Sequence, residues 1–225
     1  MRVREFDRHT QAFLAAHPEG TVVSIGCGLD TRFDRVDNGA VDWYDLDLPE
    51  VIALRRQLLT EMPRCRFIGC SVLDPAWMDA VGGDAKRPCL FLAEGVFPYF
   101  AEADVKRVVL SLRERFPDTE LVFDAMTPFA VWVHQRHPVL RKLHTQLWGL
   151  GRAKQPESWS PGIRLLDEWF YFVRPEPRLG WAGLLRFVPF LSRGNGVLHY
   201  RLGEEAREEH AGAQDTGLTK GGAHV

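Results

Sequence analysis

A doubly wound α/β fold, with helices covering both faces of a mostly parallel sheet, is the class this sequence predicts, and three observations predict it. Short apolar runs rich in β-branched residues alternate with amphipathic stretches from the N-terminus to Asp124. The first of these runs, Val22, Val23 and Ile25, breaks into a turn containing Gly26 and Gly28. An acid, Asp47, closes the next strand nineteen residues past Gly28, the distance at which a βαβ unit offers a carboxylate to ribose hydroxyls.

From Glu5 to His17, Phe6, Phe13 and Leu14 recur at helical spacing, and Pro18-Glu19-Gly20 ends that helix before the first strand. The second strand lies in AVDWYDLDLP, residues 40–49. A helix follows from Glu50 to Glu61, with Pro49 at its first turn. Strand three spans Arg64 to Gly69 and leads through CSVLDP into a short helix carrying Trp77 and Met78, for which Asp74 serves as N-cap; Gly82 and Gly83 close it. Strand four, Pro88 to Ala93, is almost continuously apolar, as a central parallel strand should be, and ends in Glu94-Gly95. A helix from Glu102 to Phe116 and a strand from Glu120 to Phe123, ending in Asp124, complete five β and α units.

After Pro128 the expectation is a long basic helix to about Leu150, then the loop KQPESWSPG. A strand near Leu165 to Val173, a helix near Trp181 to Leu191 and a last strand, Gly196 to Leu202, follow; Gly194-Asn195-Gly196 suits a reversal of direction. Residues 1–203 read as one domain, and residues 204–225, nearly without large apolar side chains, as a disordered tail.

Hydrophobic content of 45%, charged content of 26% and a net charge of −2 over 225 residues describe an ordinary globular chain. They supply no electrostatic footprint for nucleic acid or an anionic membrane, so neither partner is expected. Cys27, Cys65, Cys70 and Cys89 form no CxxC pair and read as buried, reduced thiols. The charged first residues show no secretory signal, and the apolar stretch WAGLLRFVPFL is too short for a span and contains Arg186 and Pro189. A cytoplasmic location is the expectation.

Thr31 stands where the dinucleotide fingerprint has a third glycine, which turns the reading from NAD toward another adenosine-containing cofactor. A nicotinamide oxidoreductase would also want a Tyr and Lys relay, and none is evident. His134, His137 and His144 share a stretch of helix, but no acid adjoins them in sequence and Pro138 interrupts it, so no metal site is expected. Trp169 to Phe172 are assigned to the core, with partial lining of an apolar acceptor pocket as the alternative.

Four motifs in register, SIGCGLDTRFDR, WYDLDLPEVIALRR, CSVLDPAW and AEGVFPYF, resemble the leucine carboxyl methyltransferase family, especially its bacterial polyketide and secondary-metabolite O-methyltransferases. The resemblance covers residues 2 to 202. It implies a class I, Rossmann-like, seven-stranded sheet whose last strand is antiparallel, with a helix inserted after strand five. It also implies S-adenosylmethionine as cofactor and methyl transfer to a carboxylate or hydroxyl oxygen of a small metabolite.

Carried over residue by residue, the resemblance sets the backbone of Gly26 and Gly28 against the methionine part of the cofactor and gives the ribose to Asp47, with Asp45 as rival on the same strand face. The family's acid and leucine beside the adenine become Ser71 and Val72, a departure that replaces a carboxylate with a weaker hydroxyl anchor. Glu94 falls near the methionine end, and Arg4 corresponds to an N-terminal arginine that grips the cofactor carboxylate. Family members carry several dozen residues ahead of that arginine, whereas Met1 is three residues before Arg4, so the segment covering the site is expected to be absent. A non-catalytic cofactor-binding protein is therefore the alternative of a different class. No residue declares itself a general base, which favours a carboxylate or an already acidic hydroxyl as acceptor.

Overall fold

The computed structural model describes residues 1–81, 87–116, 118–136, 147–173, 187–188 and 192–203. Seven strands form one sheet in the order β3-β2-β1-β4-β5-β7-β6. The strands are β1 (Thr21–Ile25), β2 (Asp42–Asp47), β3 (Cys65–Gly69), β4 (Cys89–Ala93), β5 (Thr119–Met126), β6 (Ile163–Phe170) and β7 (Asn195–Leu202). The first five are parallel, and β7 runs antiparallel to both β5 and β6.

Side-chain alternation divides the interior between the two faces of the sheet. Val22, Trp43, Leu90, Leu92 and Val197 turn toward α1 (Arg2–Ala16), α2 (Arg32–Val36) and α3 (Pro49–Leu58), where Phe6, Phe13, Phe33 and Ile52 meet them. Val23, Tyr44, Phe91, Phe123 and Tyr200 turn toward α4 (Ala76–Val81) and α5 (Glu102–Arg115), against Trp77, Met78, Val108 and Leu112. Every side chain of β4 is buried, each large one contributing about 2 kcal/mol by removal from water. That double cover explains why β4 has no alternation in its sequence. It also fixes the register that brings the carboxyl ends of β1, β2, β4 and β5 to one edge.

The expected five units are present, with adjusted bounds. Helix α2 was not anticipated, because five residues are too few to show a helical period. Strand β5 continues past Asp124 to Met126 by pairing with β7 as far as Asn195, so Gly194-Asn195-Gly196 leads directly into a strand. The helix expected to reach Leu150 is corrected: α6 is Pro128–Arg136, and residues 147–150 are not helical. There tertiary pairing takes the backbone, since Trp148 N donates to Pro98 O at 2.7 Å and Leu150 N to Met126 O at 2.7 Å. The helix expected near Trp181, the tail 204–225, His137 and His144 lie outside the described residues.

Candidate cofactor and acceptor site

Two glycines make the turn after β1, and both hold positive φ, +64° at Gly26 and +51° at Gly28. This left-handed conformation strains any side-chain-bearing residue, and a Cβ on Gly26 would lie 2.4 Å from Val96 Cγ2. The turn is tied down by Gly26 N donating to Leu46 O at 2.7 Å and by Gly28 N donating to Asp47 Oδ2 at 2.7 Å. Leu48 N donates to Asp47 Oδ1, also at 2.7 Å. Each carboxylate oxygen still has a free lone pair, enough to accept from hydroxyl groups placed beside the turn.

Asp47 stands at the rim of a cleft of about 380 Å³ between the ends of β1, β2, β3 and β4. Gly26, Ser71, Val72, Val96 and Tyr99 line it, a mostly apolar enclosure of the size that takes a nucleoside. Ser71 Oγ accepts from Leu73 N at 3.3 Å and keeps its hydroxyl proton to donate. Asp45 is elsewhere: it is buried, pairs with Arg55 Nη2 at 2.5 Å and accepts from Trp43 Nε1 at 2.8 Å. Burial pushes its carboxyl group above the usual range, and the Arg55 charge opposes that rise. Its role is therefore to tie β2 to α3, which removes it as the rival for the cleft.

On the other side of Gly26 a second hollow of about 320 Å³ is lined by Arg2, Cys27, Asp30, Arg32 and Glu94. Glu94, at the end of β4, accepts from Arg2 Nε at 2.7 Å and from Arg32 Nη2 at 2.5 Å. Arg2 also donates to Asp124 Oδ2 at 2.9 Å, and Asp124 Oδ1 accepts from Gly95 N at 2.6 Å. Burial drives the Asp124 carboxyl up, Glu94 adds to that, and Gly95 N–H and Arg2 resist it. The Tyr171 hydroxyl, buried beside Asp124 and Arg2, is also raised. One hollow thus offers both a guanidinium and carboxylates, the complement of a zwitterionic amino-acid group.

Of the residues expected from sequence, Gly26, Asp47, Ser71 and Val72 line the nucleoside-sized cleft, Gly28 braces Asp47, and Glu94 faces the neighbouring hollow. Arg4 is exposed, and neither hollow counts it among its lining residues. Two residues along a helix is a turn of roughly 200°, so Arg2 and Arg4 point to opposite sides. Sequence reasoning missed Arg2, Arg32, Asp124 and Tyr171. A signal existed for Arg2, because it stands at i−4 from Phe6, i−7 from His9 and i−11 from Phe13, the buried stripe of α1.

A third grouping, Glu5, His9 and Asp167, has its ligand atoms within 4.8 Å of one another. Its centre is taken by Arg8 Nη2, which lies 2.5 Å from Glu5 Oε1, 2.6 Å from Asp167 Oδ2 and 3.0 Å from His9 Nε2. A guanidinium in that seat makes the group an ion-pair lock between α1 and β6.

The profile of the family described as leucine carboxyl methyltransferase matches residues 1–112. Over 207 residues the chain is 34% identical to the tetracenomycin polyketide synthesis O-methyltransferase TcmP of Streptomyces glaucescens, covering 88% of this chain and 76% of that protein. It is 28% identical over 216 residues to the S-adenosyl-L-methionine-dependent methyltransferase dpfgK of Gibberella zeae, covering 87% and 72%. Among solved structures, a DUF574 family protein from Streptomyces avermitilis shares the fold at a TM-score of 0.63 and 17% identity, over 88% of this chain and 82% of that one. On the match to the family profile and the extended identity with TcmP, the chain belongs to the leucine carboxyl methyltransferase family.

Proposed function

We propose that this chain is an S-adenosylmethionine-dependent O-methyltransferase acting on a carboxylate or hydroxyl oxygen of a small, polyketide-like metabolite. The observation that carries the reading is Asp47 bound to the Gly26–Gly28 turn on one side of a nucleoside-sized cleft, with Glu94 and Arg2 paired on the other side of Gly26. Membership of the family and the names of TcmP and dpfgK support it.

In this reading Asp47 accepts from the ribose hydroxyls, Ser71 and Val72 flank the adenine, and the backbone of Gly26 and Gly28 makes room for the chain between them. Arg2, in preference to Arg4, holds the amino-acid carboxylate, and Glu94 takes the ammonium. When bound, S-adenosylmethionine supplies an activated methyl group on a sulfonium. The protein's part is alignment of the acceptor oxygen and exclusion of water. Tyr171, like any phenol of ordinary value near 10, is protonated at neutral pH, and burial raises it further, so it is suited to donate a hydrogen bond and unsuited to act as a base. A carboxylate acceptor, which needs no base, fits that environment.

No helix among the described residues is long and apolar enough to cross a membrane. A cytoplasmic setting is part of the proposal, supported by four unpaired cysteines. Titration calorimetry with S-adenosylmethionine, S-adenosylhomocysteine, NAD and NADP tests the reading. Binding of the first two is expected, and binding of a nicotinamide cofactor alone would overturn it.

A further inference from the structure

Beyond the cleft a separate pocket of about 280 Å³ opens where the carboxyl end of β5 meets β6 and β7. Ala125, Met126, Leu150, Phe170 and Leu198 give it apolar walls, and three charged side chains, Arg152, Arg193 and Glu168, complete the lining. The pocket begins one residue past Asp124, whose carboxylate holds the N–H of Gly95, a residue of the cofactor cleft. Between pocket and cleft runs the segment from Trp148 to Leu150, bonded on one side to Pro98 O and on the other to Met126 O. The pocket is therefore a neighbour of the cleft and distinct from it.

The charges in the pocket favour an anion, two guanidinium groups against one carboxylate. The Arg193 guanidinium carbon lies 5.6 Å from the centroid of the Phe170 ring, a cation–π contact that leaves its N–H groups for hydrogen bonds. Among the described residues no carboxylate lies within ion-pair distance of Arg152 or Arg193. Arg152, Arg193 and Glu168 are all exposed, so water and salt partly screen the attraction for an anion.

We propose that this pocket holds the part of the acceptor remote from the methylated oxygen, and that it selects an apolar body carrying a second acidic group, bound by Arg152 and Arg193. An oxygen gripped by a guanidinium has its lone pairs engaged and is a poor nucleophile, so the group bound here is not the one methylated. Naming the occupant as the acceptor rests on the methyltransferase reading above; the anion preference rests on the pocket alone.

The test uses the intact protein and two probes of one shape, 2-naphthoate and uncharged 2-naphthamide, followed by calorimetry, with S-adenosylhomocysteine titrated in parallel. Naphthoate is expected to bind about tenfold more tightly than naphthamide, the effect of one charge-assisted contact. In the variant Arg152→Gln/Arg193→Gln that preference should shrink to within about twofold, while S-adenosylhomocysteine affinity, which these side chains do not touch, stays unchanged. Equal binding of the two probes to the wild-type protein, or a preference that survives in the double variant, overturns the proposal. Failure of S-adenosylhomocysteine to bind overturns the cofactor reading instead, and the naphthoate comparison does not depend on it.

Discussion

Arg32, only 2% exposed, donates from Nη2 to Glu94 Oε2 at 2.5 Å. The same guanidinium meets Asp7 Oδ1 at 2.8 Å and Asp30 Oδ2 at 3.2 Å and stands over the ring of Phe6. It therefore joins α1, the glycine turn and the end of β4 at the hollow where Glu94 is presented. Arg32→Met would take the shared partner from three carboxylates, each of which keeps one other arginine, Arg2 for Glu94 and Arg35 for Asp7 and Asp30. The expected loss is about 1 to 3 kcal/mol of stability, below that for a fully buried and uncompensated charge. Urea unfolding measures it, and a loss below about 1 kcal/mol would show that Glu94 does not need Arg32.

Asp45 and Asp47 share a strand and a face, yet their substitutions should be read by different instruments. Asp47→Ala is expected to weaken S-adenosylhomocysteine binding by about 1.5 to 3 kcal/mol, the loss of hydrogen bonds to a charged acceptor, and to cost about 1 kcal/mol of stability, since Gly28 N–H and Leu48 N–H lose their acceptor. Asp45→Ala strands Arg55 in the interior, where Arg55 is 3% exposed, and should cost about 3 to 5 kcal/mol of stability. Reversal of that pattern, with calorimetry and urea unfolding run on both variants, would return the ribose to Asp45.

Arg2 and Arg4 offer a similar contrast on α1. The Arg2 guanidinium, charged as any arginine is, is fixed at the hollow by Glu94 at 2.7 Å and Asp124 at 2.9 Å. Arg2→Ala should therefore lower cofactor affinity about tenfold, one charge-assisted contact, and Arg4→Ala should stay within about twofold. Equal losses would mean that the helix as a whole, rather than Arg2, serves the site.

The sheet and its order of elements were legible because burial leaves a mark in composition: β4 is covered on both faces and reads as a continuous apolar run. The glycine turn and Asp47 were legible because their chemistry is local, with nineteen residues closing one βαβ unit. Glu94 with Arg2, Arg32 and Asp124 was not, since its partners lie 92 and 62 residues away, and Arg2 meets Asp124 across 122. Such meetings depend on strand order and helix phase, and the phase of α1 is what separates Arg2 from Arg4. Phe170 shows the same limit: the aromatic run around it reads as core with pocket lining as the alternative, and only the fold divides the two, Trp169 going to the core and Phe170 to a pocket.

The last prediction concerns pH and the seam between α1 and the antiparallel strands. His9 is 4% exposed, and its ring meets that of His199 edge-on at 4.7 Å. Around the pair stand Glu5 and Arg8 of α1, Asp167 of β6, Glu120 of β5, which His199 Nε2 contacts at 2.7 Å, and Arg201 of β7. Burial first, then His199 and Arg8, pull His9 down to about 4, and Asp167 and Glu120 do not make up the difference. The folded protein therefore keeps His9 neutral, while the unfolded chain takes up a proton near its ordinary value of 6.5. The contribution to stability is complete above that value and is lost as pH falls toward the folded value. Between pH 7.5 and pH 5 the loss from His9 should be about 2 kcal/mol. Asp7 and Glu120 are held below their ordinary carboxylate values by their arginine and histidine partners and lose stability only at lower pH, so they leave this window clear. Urea unfolding at pH 7.5, 6 and 5 on the wild-type protein and on His9→Gln makes the comparison, and the variant should show a flatter profile by that amount. Parallel profiles would mean that His9 is protonated within the fold, with Glu5 and Asp167 as its counter-ions.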